Sequence, residues 1–197
     1  DIATLPAAKI AAIGKAAIPG LSPDAISMLD GAQIAALTAA QLGAFTAQQV
    51  AAFDPDQLDE LSNAQLGVFS ATQIGALSPL DVLAFSPDRI AAISDSGIRG
   101  LSPSTMAGLS APQLAALRGG QLGALTLGQM AALTTGQISS LRTDQIGALN
   151  SVAAFNGDQI RALTPSQVSS LNPLAVRGLT IAQIGAMTAD QIEAFTE

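Results

Sequence analysis

Large apolar residues come along this chain in pairs spaced three apart, and the pair itself returns every eight residues. The stretch Leu37–Phe53, LTAAQLGAFTAQQVAAF, runs through the cycle twice: apolar residue, Thr, two spacers, Gln, apolar residue, two small residues. With Gln as position 1 of an octad, Gln occupies that place at 33, 41, 49, 57, 65 and 73, at 113, 121, 129, 137 and 145, and at 159, 167, 183 and 191. One octad arrives two residues early, with Ser151 in the Gln place. Run back to Asp1, the frame accounts for the whole chain as 25 octads. Self-similarity at a fixed short period is the signature of a solenoid.

Positions 2 and 5 are apolar in all 25 octads, and all six Phe lie at position 5. Position 4 is Ala, Gly or Ser in 21 of 25, and position 6 is Ser, Thr, Asp or Asn in 21 of 25. Seven of the ten Pro stand at position 7. Ser, Thr, Asp and Asn are the preferred helix N-caps because a side-chain oxygen accepts from an orphan backbone N–H. Pro directly after the cap fills N1, where no N–H is needed. Gln then falls at N3, completing a Ser/Thr-x-x-Gln capping box. Only Gln121 and Gln145 follow Arg at the cap position. Positions 2 and 5 are i and i+3, one face of a helix.

A single long helix does not fit. Eight residues advance about 800°, which turns the apolar pair roughly 80° further round at each repeat. Pro at position 7 would also break such a helix again and again. Strands need a period of two. The chain is therefore expected to be all-α, a right-handed superhelix of about 25 short capped helices, one per octad, around a single continuous apolar core. Helices of about six residues do not persist alone, so neighbours must stack positions 2 and 5. Small residues at position 4 let the backbones approach. No linker interrupts residues 1–197, which read as one octad solenoid. Asp1–Leu5 and Gln191–Phe195 look like ordinary octads, so the segment is expected to belong to a longer array.

Composition narrows the chemistry. The chain has no His, Cys, Trp or Tyr, and its net charge is −7 with two Lys and six Arg. Phosphate recognition needs clustered Lys and Arg, so nucleic acid is not an expected partner. Without His or Cys, and with no carboxylate pair standing out from the capping pattern, no enzyme and no cofactor is expected. No run of 18 apolar residues is present to span a membrane. The acidic run Asp54–Glu60 raises a calcium reading through Asp54, Asp56, Asp59 and Glu60. It lacks the central Gly and distant Glu of an EF-hand loop, and Asp54 is already a natural N-cap, so no metal is expected. Ser94-Asp95-Ser96-Gly97 is a lesser case, and Gly14-Lys15 lacks the rest of a phosphate loop. The Gln ladder could form a recognition surface, but capping accounts for its spacing. The octads at Asp81, Arg89, Gly97 and Thr105 lose the Gln yet keep both apolar positions, which reads as repeat degeneration or as a binding region.

The pattern [LF]-[ST]-x-x-Q-[IL]-x-[AS]-[LF], as in LTTGQISSL (133–141) and LTAAQLGAF (37–45), resembles tandem segments of very large bacterial surface or secreted proteins, the adhesin-like and haemagglutinin-like chains. The resemblance implies a structural spacer or stalk outside the cell, with neighbouring domains or repeats of the same chain as partners, and it transfers no site residue. The other expectation is a binding module that recognises a protein, peptide or glycan through a groove or exposed face. Aromatic or Arg anchors would be expected there outside the core positions, and no aromatic lies outside position 5. A third is an ice- or mineral-contacting face made by the Ser/Thr ladder at position 6.

The octad frame makes a direct prediction. Deleting Gln121–Gly128 joins Gly120 to Gln129 and leaves both apolar columns in phase, so the chain should fold with modestly reduced stability. Deleting only Gln121–Ala124 puts Leu125 in the Gln place and Gln129 in a core place. Thermal melts should show the second deletion far more destabilised; equal melts would remove the octad as the structural unit.

Overall fold

The computed structural model describes residues 2–195. The chain divides into two compact units, Asp1–Gly100 and Leu101–Glu197, and each is built in the same way. Among the described residues there are 21 α-helices and three 3-10 helices, and no strand. The helices follow the octads. Ala39–Leu42 is capped by Thr38, Pro55–Glu60 by Asp54 and Pro165–Ser169 by Thr164. Each cap residue is extended, as at Thr38 with φ −77° and ψ 156°, so the corner of every octad is one residue that leaves helical geometry before the next helix starts. Pro6, Gly14, Arg118 and Arg142, which offer no side-chain oxygen at position 6, make no side-chain cap.

Within each unit the octads wind into a superhelix. A helix packs on the one three octads along: Gly31–Ala35 on Pro55–Glu60 and Ala111–Ala116 on Thr135–Ser140. Hydrogen bonds described below tie each octad to the one four along. A superhelical turn therefore holds between three and four octads. This dimension is invisible in the octad pattern, which specifies which faces are apolar but not how many corners close a turn.

The two apolar columns form the core. Position 2 is buried at every octad from Ile10 to Val168, and position 5 at every octad from Leu29 to Leu171. Full burial of an aliphatic side chain contributes roughly 1.5–3 kcal/mol, and this stacking supplies what helices of four to six residues lack. Phe45 and Phe53, at adjacent position-5 places, meet with ring centroids 5.7 Å apart. Small residues permit the close approach of successive coils. A Cβ on Gly67 would lie 3.0 Å from the Ala92 carbonyl oxygen, and a Cβ on Gly100 would run into the carbonyl of Ala71.

One octad departs from the expected helix per repeat. Ser151–Phe155 makes only a turn, closed by the Phe155 N–H on the Val152 carbonyl at 2.9 Å. The two missing residues are positions 7 and 8, which would form the first helical turn after Asn150. Val152 and Phe155 stay buried all the same. The core columns are preserved while the helix between them is lost. Among the described residues no helix is long and apolar enough to cross a membrane.

Leu117 is 1% exposed, whereas Ala115, two residues before it, is exposed. Leu117→Asp buries a carboxylate in the core and should cost several kcal/mol. Ala115→Asp should stay within about 0.5 kcal/mol of the parent. Urea denaturation midpoints check this, and equal shifts would contradict the assignment of position 5 to the interior.

Candidate functional site: the glutamine ladder and the interrupted octads

The position-1 Gln side chains are the most chemically specific feature of the chain, and they point inward. Gln41, Gln49, Gln121, Gln145 and Gln191 are each 0–1% exposed. Gln41 shows the arrangement. Its Oε1 accepts from the Thr38 backbone N–H at 2.8 Å and from the Thr38 hydroxyl at 2.9 Å. Its backbone N–H donates to Thr38 Oγ1 at 3.3 Å, which completes the capping box. The other end of the carboxamide does something the local spacing does not reveal. Nε2 donates to the carbonyl of Ile10 at 2.7 Å and to that of Ile13 at 2.9 Å. Those are positions 2 and 5 of the octad four before.

The same pair of bonds recurs. Gln49 reaches Ile18 and Leu21, Gln73 reaches Leu42 and Phe45, Gln145 reaches Leu114 and Leu117, and Gln191 reaches Ile160 and Leu163, with all eight distances between 2.6 and 3.1 Å. The carbonyls that accept these bonds sit at helix ends, where C=O groups run short of intrahelical partners; the position-2 carbonyl also takes the N–H three residues on, as Ile10 does from Ile13 at 3.1 Å. One carboxamide thus serves the N-terminus of its own helix and the C-terminus of a helix in the preceding coil. Both its donors and its acceptor oxygen are satisfied, as a buried amide requires. Across the short octad the reach changes from 31 and 28 residues to 29 and 26, at Gln159 on Met130 and Leu133 and at Gln167 on Ile138 and Leu141. It returns to 31 and 28 at Gln183 on Val152 and Phe155. The ladder counts octads, not residues.

Two Gln follow Arg caps. Gln121 and Gln145 still accept from the Arg118 and Arg142 backbone N–H at 2.8 and 3.1 Å, although neither Arg side chain can return the bond. At Gln145 the Arg142 N–H and the Leu117 carbonyl depend on one side chain.

Four consecutive octads lack the Gln, and each meets the gap differently. Arg89 takes over the inter-coil bonds with its guanidinium, Nη1 on the Leu61 carbonyl at 2.8 Å and Nη2 on the Leu58 carbonyl at 2.6 Å. The group also stacks 4.7 Å from the centre of the Phe85 ring. Burial pulls the Arg89 pKa down from its ordinary value, and the nearby Asp59 carboxylate opposes the shift. At Gly97 there is no room for a side chain, because a Cβ would lie 2.8 Å from the Phe69 carbonyl oxygen; the backbone itself meets the previous coil. Thr105 is buried and pairs its hydroxyl with that of Ser102 at 2.8 Å. Asp81 has no N–H to donate from its side chain; its carboxylate accepts from the Ser78 hydroxyl at 2.6 Å. Beside Asp81 a cleft of about 270 Å³ opens, lined by Pro55, Leu58, Asp59, Leu80, Ala84 and Phe85. Leu80 at its edge is 79% exposed.

The acidic run is not drawn together into a ligand set. Asp54 accepts from the Gln57 N–H at 2.7 Å as an N-cap, Asp56 lies in the first turn of the same helix, and the Glu60 side chain lies against Gly31. Among the described residues no group of three or more acidic, His or Cys side chains is placed to hold a metal ion. Ser94 uses its hydroxyl to accept from the Gly97 N–H at 2.9 Å, a turn contact. Lys15 begins a 3-10 helix, Lys15–Gly20, behind Gly14. No protein-family model matches the chain, and no curated protein matches it.

Gln145→Ala should destabilise by about 3 kcal/mol, because the Arg142 N–H and the Leu117 carbonyl lose their partner. Gln145→Glu should be worse at pH 7, because a carboxylate keeps the acceptor and loses both donors opposite two carbonyls. The folded state favours the protonated carboxyl, so its pKa is raised above the usual Glu value of about 4.3. Stability relative to the parent should be regained below that value and lost as pH rises through the raised one. Denaturation midpoints measured from pH 4 to 7 check both statements. A Gln145→Ala variant within 0.5 kcal/mol of the parent would remove the inter-coil role.

Proposed function

We propose that this chain is a non-enzymatic structural scaffold, a spacer or stalk built from octads, of a large bacterial surface or secreted protein. The observation that carries the reading is the use of the polar repeat. The residue most regular in the sequence, Gln at position 1, is buried and bonded to backbone at both ends of its carboxamide. The regularity of the Gln therefore serves the integrity of the coil. Positions 7 and 8 present mostly small or polar residues to solvent. The placement outside the cell comes from the resemblance of LTTGQISSL and its neighbours to adhesin-like and haemagglutinin-like arrays. Neighbouring domains or repeats of the same polypeptide are its partners in this reading.

A binding module is the second reading, favoured by one feature: the cleft at Asp81, where the ladder is interrupted and Leu80 stands exposed beside Asp59 and Asp81. A protein or peptide ligand with a basic and an apolar side chain would match its lining.

Pulling the chain from its two ends in a force spectrometer tests the spacer role. A quasi-one-dimensional stack is expected to unravel in reversible steps of about one superhelical turn, roughly 100 Å of contour for some 30 residues at 3.3–3.6 Å each. A single irreversible rupture of the whole chain would contradict a load-bearing spacer. Saturable binding of a peptide or glycan that Leu80→Asp abolishes would favour the second reading.

A further inference from the structure

Within the first unit the ladder skips one step and leaves acceptors there without donors. On either side of Asp81 the register of the inter-coil bonds is the same. Gln73 donates to the carbonyls 31 and 28 residues before it, Leu42 and Phe45. Arg89 donates to the equivalent pair, Leu58 and Leu61. The octad frame is uniform from 41 to 89, so the pair that belongs to Asp81 is Val50 and Phe53. Among the described residues neither of these carbonyls receives a side-chain donor; that of Val50 takes only the Phe53 N–H, at 3.2 Å. Asp81 brings a carboxylate to the step, which accepts from the Ser78 hydroxyl at 2.6 Å and has no hydrogen to give. The cleft of about 270 Å³ opens beside it, with apolar Pro55, Leu58, Leu80, Ala84 and Phe85 and a second carboxylate, Asp59, in its lining. Residues 16–88 hold eight carboxylates and no Lys or Arg. The first cation after them, Arg89, has its guanidinium on the Leu58 and Leu61 carbonyls and beside the Phe85 ring.

We propose that this cleft takes an arginine side chain of a partner polypeptide, with an aliphatic residue beside it in the partner's sequence. The site rests on the second reading above, in which the chain is a binding module, and it names the chemistry of the ligand. Charge and hydrogen bonding select the same occupant. A guanidinium brings five N–H donors and a positive charge, and it meets two carbonyls and a carboxylate that only accept. Charge-assisted bonds of this kind are about twice as strong as neutral ones. The chain holds its own precedent one octad on. Arg89 spans the carbonyls of Leu58 and Leu61 with two nitrogens, at 2.6 and 2.8 Å, while its guanidinium lies 4.7 Å from the centre of the Phe85 ring. The partner's arginine makes the corresponding bonds to Val50 and Phe53 from outside the coil, with Asp81 as its counter-ion. Its aliphatic neighbour covers Leu80, which is otherwise 79% exposed. An apolar lining with a few placed polar groups is the usual make-up of a ligand cleft.

The test titrates the tripeptide acetyl-Leu-Arg-Leu-amide into the full, isotope-labelled chain at low salt and follows the backbone amides by NMR. Saturable shifts are expected at residues 55–59 and 80–85. The citrulline tripeptide, of the same shape without the charge, should bind roughly tenfold more weakly. Asp81→Gln supplies the second arm. It returns a carboxamide to the skipped step, so it should raise the folding equilibrium constant roughly tenfold and abolish tripeptide binding. That variant is the more stable of the two, so its loss of binding is not a loss of fold. A citrulline peptide that binds as tightly as the arginine peptide would overturn the arginine site and leave a peptide-binding cleft standing. No saturable shift with either peptide would overturn both. Asp81→Gln that binds the tripeptide unchanged, or that is no more stable than the parent, would overturn the unserved carbonyl pair on which the site is built. Calcium chloride that reproduces the shifts and displaces the tripeptide would overturn the proposal in favour of a metal ion. A parent that sediments as a dimer, and as a monomer after Asp81→Gln, would overturn it in favour of a second copy.

Discussion

A helix of four to six residues consists almost wholly of ends. Four N–H groups at its start and four C=O groups at its finish have no intrahelical partner, so in helices of this length most backbone polar groups must be satisfied from outside. Stacking such helices around an apolar core buries those groups and makes the demand severe, because a buried unpaired donor or acceptor is worth about 1–3 kcal/mol of destabilisation. The rest of this structure depends on how that demand is met. A single carboxamide, at position 1 of the octad, accepts from the N-cap of its own helix and donates twice to helix-end carbonyls of the preceding coil, as Gln41 does on Thr38, Ile10 and Ile13. Few side chains suit the task. Glu lacks the donors, and Arg lacks the acceptor; Arg89 accordingly makes the inter-coil bonds while leaving the N-cap of Ser86 to its own hydroxyl. Asn is a methylene shorter, and where it substitutes, at Asn172, it works from the cap position, with Nδ2 on the carbonyls of Gly147 and Leu149 at 3.0 and 2.6 Å.

This bond pattern also explains why the repeat tolerates some irregularities and not others. The short octad at Ser151 loses its helix but keeps Val152 and Phe155 in the core and keeps their carbonyls available to Gln183. A two-residue loss in a corner is absorbed because neither the columns nor the ladder change their order. The run from Asp81 to Thr105 abandons the carboxamide for a full superhelical turn, and there the chain turns to a guanidinium, to direct backbone approach at Gly97 and to paired hydroxyls at Ser102 and Thr105. At Asp81 the carboxylate supplies no donor, and a cleft lined by Leu80 and Phe85 opens beside it.

Much of this was legible in the order of residues. The columns at positions 2 and 5, the caps at Thr38, Asp54 and Thr164, and the capping role of Gln at N3 follow from short-range rules, and the structure has them. The second half of each Gln was not legible. Its partners are backbone carbonyls 28 and 31 residues away, and every residue has a carbonyl, so no side-chain signature marks the recipient. For the same reason the number of octads per turn was hidden. The helix expected at Ser151 failed because the deleted residues were those that would have begun it. The acidic run at Asp54–Glu60 reads like a ligand set in one dimension, whereas in three dimensions its carboxylates face different neighbours.

The staple is most directly tested by the side-chain amide protons themselves. In a uniformly labelled sample, the carboxamide protons of Gln41, Gln49, Gln73, Gln145 and Gln191 are expected to show dispersed shifts and hydrogen exchange slowed by orders of magnitude, with scalar couplings across the bonds to the carbonyls of the preceding coil. Gln48, which lies outside position 1 and is exposed, supplies the unprotected reference in the same spectrum. Position-1 carboxamides that exchange as fast as that of Gln48 would contradict the claim that these side chains hold successive coils together.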